Sequence, residues 1–151
     1  MISVILTASD DPGALAKLLT ALVPAAAEGL VREVAVVGAA GPSAALADDA
    51  GADLFADFGA ATARARGPWL ARLPLAAALA PDWIEILAVH LARDPPTPAR
   101  LVTRAGFSLA AAPEGWLAPK SLAPSAAGIV EQDFQRLARR GGRRLRVLDR
   151  R

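Results

Sequence analysis

The sequence predicts a single α/β domain: a mostly parallel sheet flanked by helices, in a chain of 151 residues. Three observations carry this. Short apolar, β-branched runs alternate with stretches of helical periodicity. The links between them are short and rich in Pro, Gly and Asp, as crossover connections between parallel strands are. Hydrophobic residues make up 54% of the chain, enough for one core, with no apolar run near the ~18 residues of a membrane span.

Each element follows in order. Ile2 to Thr7 is a β-branched apolar run, typical of a buried parallel strand. Ser9-Asp10-Asp11-Pro12-Gly13 comes next, with Asp11 placed to cap a helix and Pro12 at its first position. Leu15, Leu18, Leu19 and Leu22 recur at helical spacing, and Pro24 is expected to end that helix. Val31 to Val37 is a second strand, and Gly38-Ala39-Ala40-Gly41-Pro42 a loop. Ser43 is expected to cap a short helix over Ala44–Ala50. Ala52 to Phe55 reads as a third strand, Phe58 to Arg66 as a weak helix closed by Gly67-Pro68, and Trp69 to Leu73 as a fourth strand. Pro81 and Asp82 open a helix whose apolar face is Trp83, Ile84, Leu87 and Leu91.

Beyond Asp94 the texture changes. Pro95, Pro96 and Pro98 interrupt the chain, and Arg100–Thr103 and Phe107–Ala111 are expected as two short strands. Residues 112–128 read as a Pro/Ala/Gly-rich connection. A helix is expected from about Ile129 to Arg139 with Phe134 and Leu137 inward, then a last edge strand over Arg144–Leu148.

There is no cysteine, so disulfides, thiolate metal sites and a Cys nucleophile are excluded. The opening residues read as a first strand and not as a secretory leader, which favours a cytoplasmic protein. The net charge of +2 hides an asymmetry. Residues 136–151 hold eight Arg and one Asp (+7), and residues 1–135 hold nine basic and fourteen acidic side chains (−5). The Arg-rich segment points to an anionic membrane surface or a protein partner. It contains no aromatic residue to stack bases, which argues against nucleic acid.

Several strings resemble family 2 glycosyltransferases of the GT-A fold. Ser3-Val4-Ile5-Leu6-Thr7 with an acidic turn and Leu18-Leu19-x-x-Leu22 is similar to the family's opening strand and helix. Arg32-Glu33-Val34-Ala35-Val36-Val37 resembles its second strand, Ala63-Arg64-Ala65-Arg66-Gly67-Pro68-Trp69-Leu70 the segment entering the strand before its metal site, and Leu79-Ala80-Pro81-Asp82-Trp83-Ile84 the segment beyond. Glu131-Gln132-Asp133-Phe134 resembles its acidic helix start. The resemblance implies a sugar moved from a nucleotide sugar to an acceptor, with carboxylates of an Asp-x-Asp motif holding Mg²⁺ or Mn²⁺ on the diphosphate.

Residue by residue, the match is partial. The Asp-x-Asp motif should fall near residues 74–77, which are Pro74, Leu75, Ala76 and Ala77. No metal ligand and no cofactor are therefore expected, and transfer is expected to be impaired or lost, leaving a binding or scaffolding module as the alternative. Arg72 just upstream reads either as a phosphate partner or as a solvated strand-end charge. Thr7, Asp10 and Asp11 stand where the family contacts the nucleoside, although Asp11 is equally explained as a cap. Gly38 replaces the second strand's Asp and opens either a ligand-approach loop or a plain turn. Glu131 falls at the position of the base, with Asp133 two residues on, and both also suit the positive end of a helix. His90 lacks any second His or Cys for a metal site and is expected at the surface or half-buried. Trp116 is expected to pack, not to stack on a sugar.

Overall fold

The computed structural model describes residues 1–103, 114–122 and 131–150. Its strands and helices follow one another as β1 (Ile2–Thr7), α1 (Pro12–Ala27), β2 (Val31–Val37), α2 (Gly41–Asp49), β3 (Asp53–Phe55), α3 (Phe58–Arg64), β4 (Trp69–Arg72), β5 (Ala77–Leu79), α4 (Trp83–Leu91), β6 (Ala99–Thr103), β7 (Gly115–Pro119), α5 (Glu131–Gly141) and β8 (Arg143–Arg150). The eight strands form one sheet in the order β3-β2-β1-β4-β7-β6-β8-β5. β1 to β4 pair in parallel, and β6 and β8 pair in parallel with each other. Because β7 runs antiparallel to both β4 and β6, the β6 and β8 strands point the same way as β1 and β4.

Pleat alternation divides the core between the two faces of this sheet. Ile2, Val4 and Leu6 pack with Leu15, Leu18 and Leu22 of α1, Ala47 of α2 and Leu87 of α4. Ile5, Ala35, Leu70 and Trp116 face the other way, against Ala61 of α3 and Phe134 and Ala138 of α5. The one-residue shift between those sets, in strands whose residues are apolar or small up to Thr7 and Ala71, is why β1 and β4 before Arg72 read as continuous hydrophobic runs.

The structure corrects several expectations. Pro24 does not end α1, because in the last turn its ring removes only one helical bond, and the Glu28 amide still donates to the Pro24 carbonyl at 3.0 Å. Ser43 does not cap α2: the helix already starts at Gly41, and the buried Ser43 hydroxyl reaches the Ser9 carbonyl at 3.4 Å. Residues 115–119 are a strand and no mere connection. Gly115 and Pro119 only bound it, and Trp116, Leu117 and Ala118 are each at most 1% exposed between β4 and β6. The last strand is not a free edge either, since β5 pairs with its residues Leu148, Asp149 and Arg150. The expected strand over Phe107–Ala111 lies outside the described residues.

Gly115 is required by close approach. A Cβ built there collides with the backbone carbonyl oxygen of Arg72 and crowds Leu101 at 3.3 Å. Gly115→Ala is expected to push β7 off β4 and cost ~1–3 kcal/mol, read as a lower urea midpoint with an unchanged slope.

Candidate functional site

In open α/β sheets ligands sit beyond the carboxyl ends of the parallel strands. Here that edge carries the ends of β1, β2 and β4. Thr7 closes β1, is exposed, and pairs in register with Val37, so Gly38 starts the neighbouring turn. Gly38 has φ 72°, which favours glycine, and its N–H already donates to the Phe55 carbonyl at 2.9 Å. Its position is thus accounted for by the turn, and its amide is not on offer to a ligand. Asp11 caps α1, accepting from the Ala14 amide at 3.1 Å. Asp10 is exposed, with no hydrogen bond or ion pair to another described residue.

Arg72 ends β4 one strand away, opposite Ile5 of β1 and Trp116 of β7. Its Nε lies 2.8 Å from Oε1 of Glu131, the first residue of α5. The N–H is not aimed down that line, so the contact is an ion pair and not a directed hydrogen bond. Nη1 donates to the Glu114 carbonyl at 3.1 Å. Both charged side chains are about three-quarters buried, at 22% and 25% exposure, so water screens the pair only in part. The guanidinium and the carboxylate singled out from separate strings of sequence thus meet, and each is the other's partner. Asp133 does not join them. It faces Arg136 at 3.6 Å, beside a different groove lined by Leu122 and Arg140.

Glu114 was not singled out by the sequence, yet its carboxylate pairs with Arg100 and stands 3.7 Å from Arg139. Its only signal was being the one acidic residue of a Pro/Ala-rich stretch. Trp116, between these charges, is 1% exposed, stacked on Phe134 at 4.8 Å and edge-on to Phe58 at 5.8 Å. It is a packing residue.

Glu33 is a second omission. On the opposite half of the sheet it accepts from the Ser3 hydroxyl at 2.5 Å and from the Arg66 amide at 2.5 Å and Arg66 Nε at 2.6 Å. Burial alone would raise its carboxyl, but those donors outweigh burial and hold it down at about 2. An acidic residue inside the apolar string of β2 was the available sign that a partner waits nearby. His90 is also more buried than expected, at 2% exposure, because α4 turns it onto the edge of Trp69 at 5.8 Å.

The stretch that would carry the Asp-x-Asp motif holds no carboxylate. Pro74 to Ala77 form the turn after β4, with the Ala77 amide bonded to the Pro74 carbonyl at 3.2 Å, and offer no side-chain oxygen. Among the described residues no three His, Asp or Glu side chains gather as ligands. None of the described helices is long and apolar enough to cross a membrane.

No protein-family model and no curated protein sequence matches the chain. Solved structures do. Glucosyl-3-phosphoglycerate synthase from Mycobacterium tuberculosis, in complex with Mn²⁺, UDP-glucose and phosphoglyceric acid, is 16% identical at a TM-score of 0.69, over 100% of this chain and 71% of that one. The same enzyme with Mg²⁺ and UDP gives 17% and 0.66, again over 100% and 71%. A further mycobacterial protein gives 19% and 0.62, over 82% and 54%. These neighbours correct the expectation that no cofactor attends the site. In them UDP is accompanied by Mn²⁺ or Mg²⁺, and the missing Asp-x-Asp string does not by itself remove a cation from the reckoning. Helix-flanked strands in this order, matched along the whole chain at low identity, make this a divergent example of the GT-A fold found in family 2 glycosyltransferases.

Proposed function

We propose that the chain binds a nucleotide sugar at the carboxyl edge of β1, β2 and β4, and that sugar transfer from it is impaired. The observation that carries this reading is the Arg72–Glu131 ion pair. The Glu131 oxygen that faces the guanidinium also accepts from the Gln135 amide at 3.2 Å, so it is not on offer to an acceptor hydroxyl, and the geometry of proton abstraction comes before any other requirement of a base. The same guanidinium is the described cation nearest the end of β4, suited to bidentate phosphate binding. Thr7 and Asp10, exposed at the adjacent strand end, are proposed to face the nucleoside, with Asp11 and Gly38 shaping the turns around it. Asp133 is assigned no role in proton transfer. The fold match to enzymes crystallised with UDP-glucose supports the class of ligand.

Thermal denaturation with UDP, GDP and UDP-glucose, each with and without Mn²⁺, tests the binding half. At a hundredfold excess over Kd a ligand of the native state adds ~2.7 kcal/mol, a rise of several degrees for a domain of this size. The rise is expected with at least one nucleotide and is expected to shrink in Arg72→Met. Flat curves for all three would refute binding. Rapid donor hydrolysis or transfer that disappears in Glu131→Gln would refute impairment.

A further inference from the structure

A second groove lies at the opposite edge of the sheet. It runs between α4 and the first half of β8, with a volume of about 740 Å³, within the range of small-molecule sites. Arg143 opens β8 in register with Ala99, the first residue of β6. Both strands run in the direction of β1 and β4, so this end is the amino edge, away from Thr7 and Arg72. Arg93, Arg143 and Arg144 line the groove. All three are exposed, and none pairs with a carboxylate of another described residue. Two Arg residues of α5 are placed differently, since Arg136 and Arg139 have acidic neighbours.

His90 lines the same groove from beneath. Its Nε2 lies 2.8 Å from the Thr97 carbonyl. A carbonyl only accepts, so Nε2 carries the proton and, in the neutral ring, Nδ1 presents a lone pair. Nδ1 is buried with no hydrogen-bond partner among the described residues. Burial and then the nearby Arg93 and Arg143 charges hold the imidazole below its usual titration range, despite the Thr97 bond. Nδ1 is thus a buried acceptor with no donor among the described residues, and the three guanidiniums outnumber the two carboxylates, Asp82 and Glu85, that line the groove. An anion that also carries a hydroxyl answers both, the charge on the guanidiniums and the hydroxyl as donor to Nδ1.

We propose that this groove is a binding site for a phosphate-bearing anion, seated on Arg93, Arg143 and Arg144 above the imidazole of His90. Guanidinium forks match phosphate oxygens in geometry and charge. A hydroxyl on the body of a phosphomonoester can donate to Nδ1, which the phosphate dianion beside three guanidiniums cannot. Glu85 lines the groove as well and offers an acceptor to hydroxyls of a polar ligand body.

The chain has a single histidine, so its imidazole resonances report on this site alone. Titrating the full-length protein with inorganic phosphate and with glucose 6-phosphate is expected to move those resonances saturably. In the double variant Arg143→Gln/Arg144→Gln, and separately in Arg93→Gln, the Kd is expected to rise at least ~10-fold, while the thermal response to UDP stays as in the wild type. These side chains are exposed, and an unchanged melting temperature without ligand confirms that each variant folds. Sedimentation with phosphatidylcholine vesicles containing phosphatidylglycerol separates the two sources of phosphate. Vesicle binding that the double variant loses, with no response to free phosphomonoester, assigns the site to lipid headgroups. A response to free phosphomonoester alone assigns it to a soluble ligand. If neither probe acts, or if the arginine variants bind as tightly as the wild type, the proposal is overturned.

Discussion

Trp116→Ala is expected to remove ~3–5 kcal/mol of stability. The side chain is 1% exposed at the centre of the sheet, stacked on Phe134 and edge-on to Phe58, and Phe58 and Phe134 also touch each other at 5.9 Å. Deleting it opens a cavity among β4, β7, α3 and α5 that no neighbour can fill without breaking the aromatic trio. The same residue should respond differently to Phe. The indole Nε1 is buried with no hydrogen-bond partner among the described residues, so Trp116→Phe loses volume but also removes a donor they leave unsatisfied. Its cost is expected to be below half that of the alanine variant. Chemical denaturation of both variants checks this, and a loss under 1 kcal/mol for Trp116→Ala would refute the packing role. Because α5 carries Glu131 and rests on this cluster through Phe134, the alanine variant is also expected to weaken the response to nucleotide.

Glu33 sets the acid limb of stability. Its folded carboxyl titrates at about 2, against 4.5 for the ordinary group. The folded value is the lower one, so the native state gains from the ionised form. That gain is complete above pH 4.5 and is lost as pH falls towards 2. Its size at neutral pH is at most ~3 kcal/mol. Much of it comes from the Ser3 hydroxyl and the Arg66 amide, because the Arg66 side chain is 63% exposed and its charge is screened. Glu33→Gln is expected to cost ~2–3 kcal/mol at pH 7 and to flatten the decline in stability between pH 4.5 and pH 2. Urea midpoints measured across that range decide it, and parallel curves for variant and wild type would remove Glu33 from this role. The Ser3 hydroxyl links the pair to the Gly67 amide at 2.8 Å, so the loss should be felt at the junction of β1, β2 and the entry to β4.

How much of the candidate site was legible in the sequence depends on whether its residues are joined by local or distant contacts. Asp11 as cap, and Thr7 and Asp10 at a strand end, follow from neighbours within a few positions. Arg72 and Glu131 were each visible as a charge at the end of an element, but their meeting was not, because it depends on α5 crossing the face of β4 and β7. The burial of His90 was missed for a similar reason. A lone imidazole in an amphipathic helix is polar by composition, and only the loop that carries Thr97 provides the carbonyl that lets it be buried. Strand β7 was hidden because Gly and Pro mark turns in a sequence, whereas here they stand at the ends of a five-residue strand whose interior is covered on both sides.

By itself, the sequence determined the alternation of parallel strands and helices, the apolar faces of α1 and α4, and the absence of thiol chemistry. These depend on periodicity and residue type, which are properties of short segments. Only the tertiary structure decided that β7 lies between β4 and β6, that β5 closes the outer end of β8, and that Arg143 and Arg144 share a groove with Arg93 of the distant α4 end. Those outcomes turn on which distant segments exclude water from one another and which charges are then left without a partner, and neither is encoded within any single window of the chain.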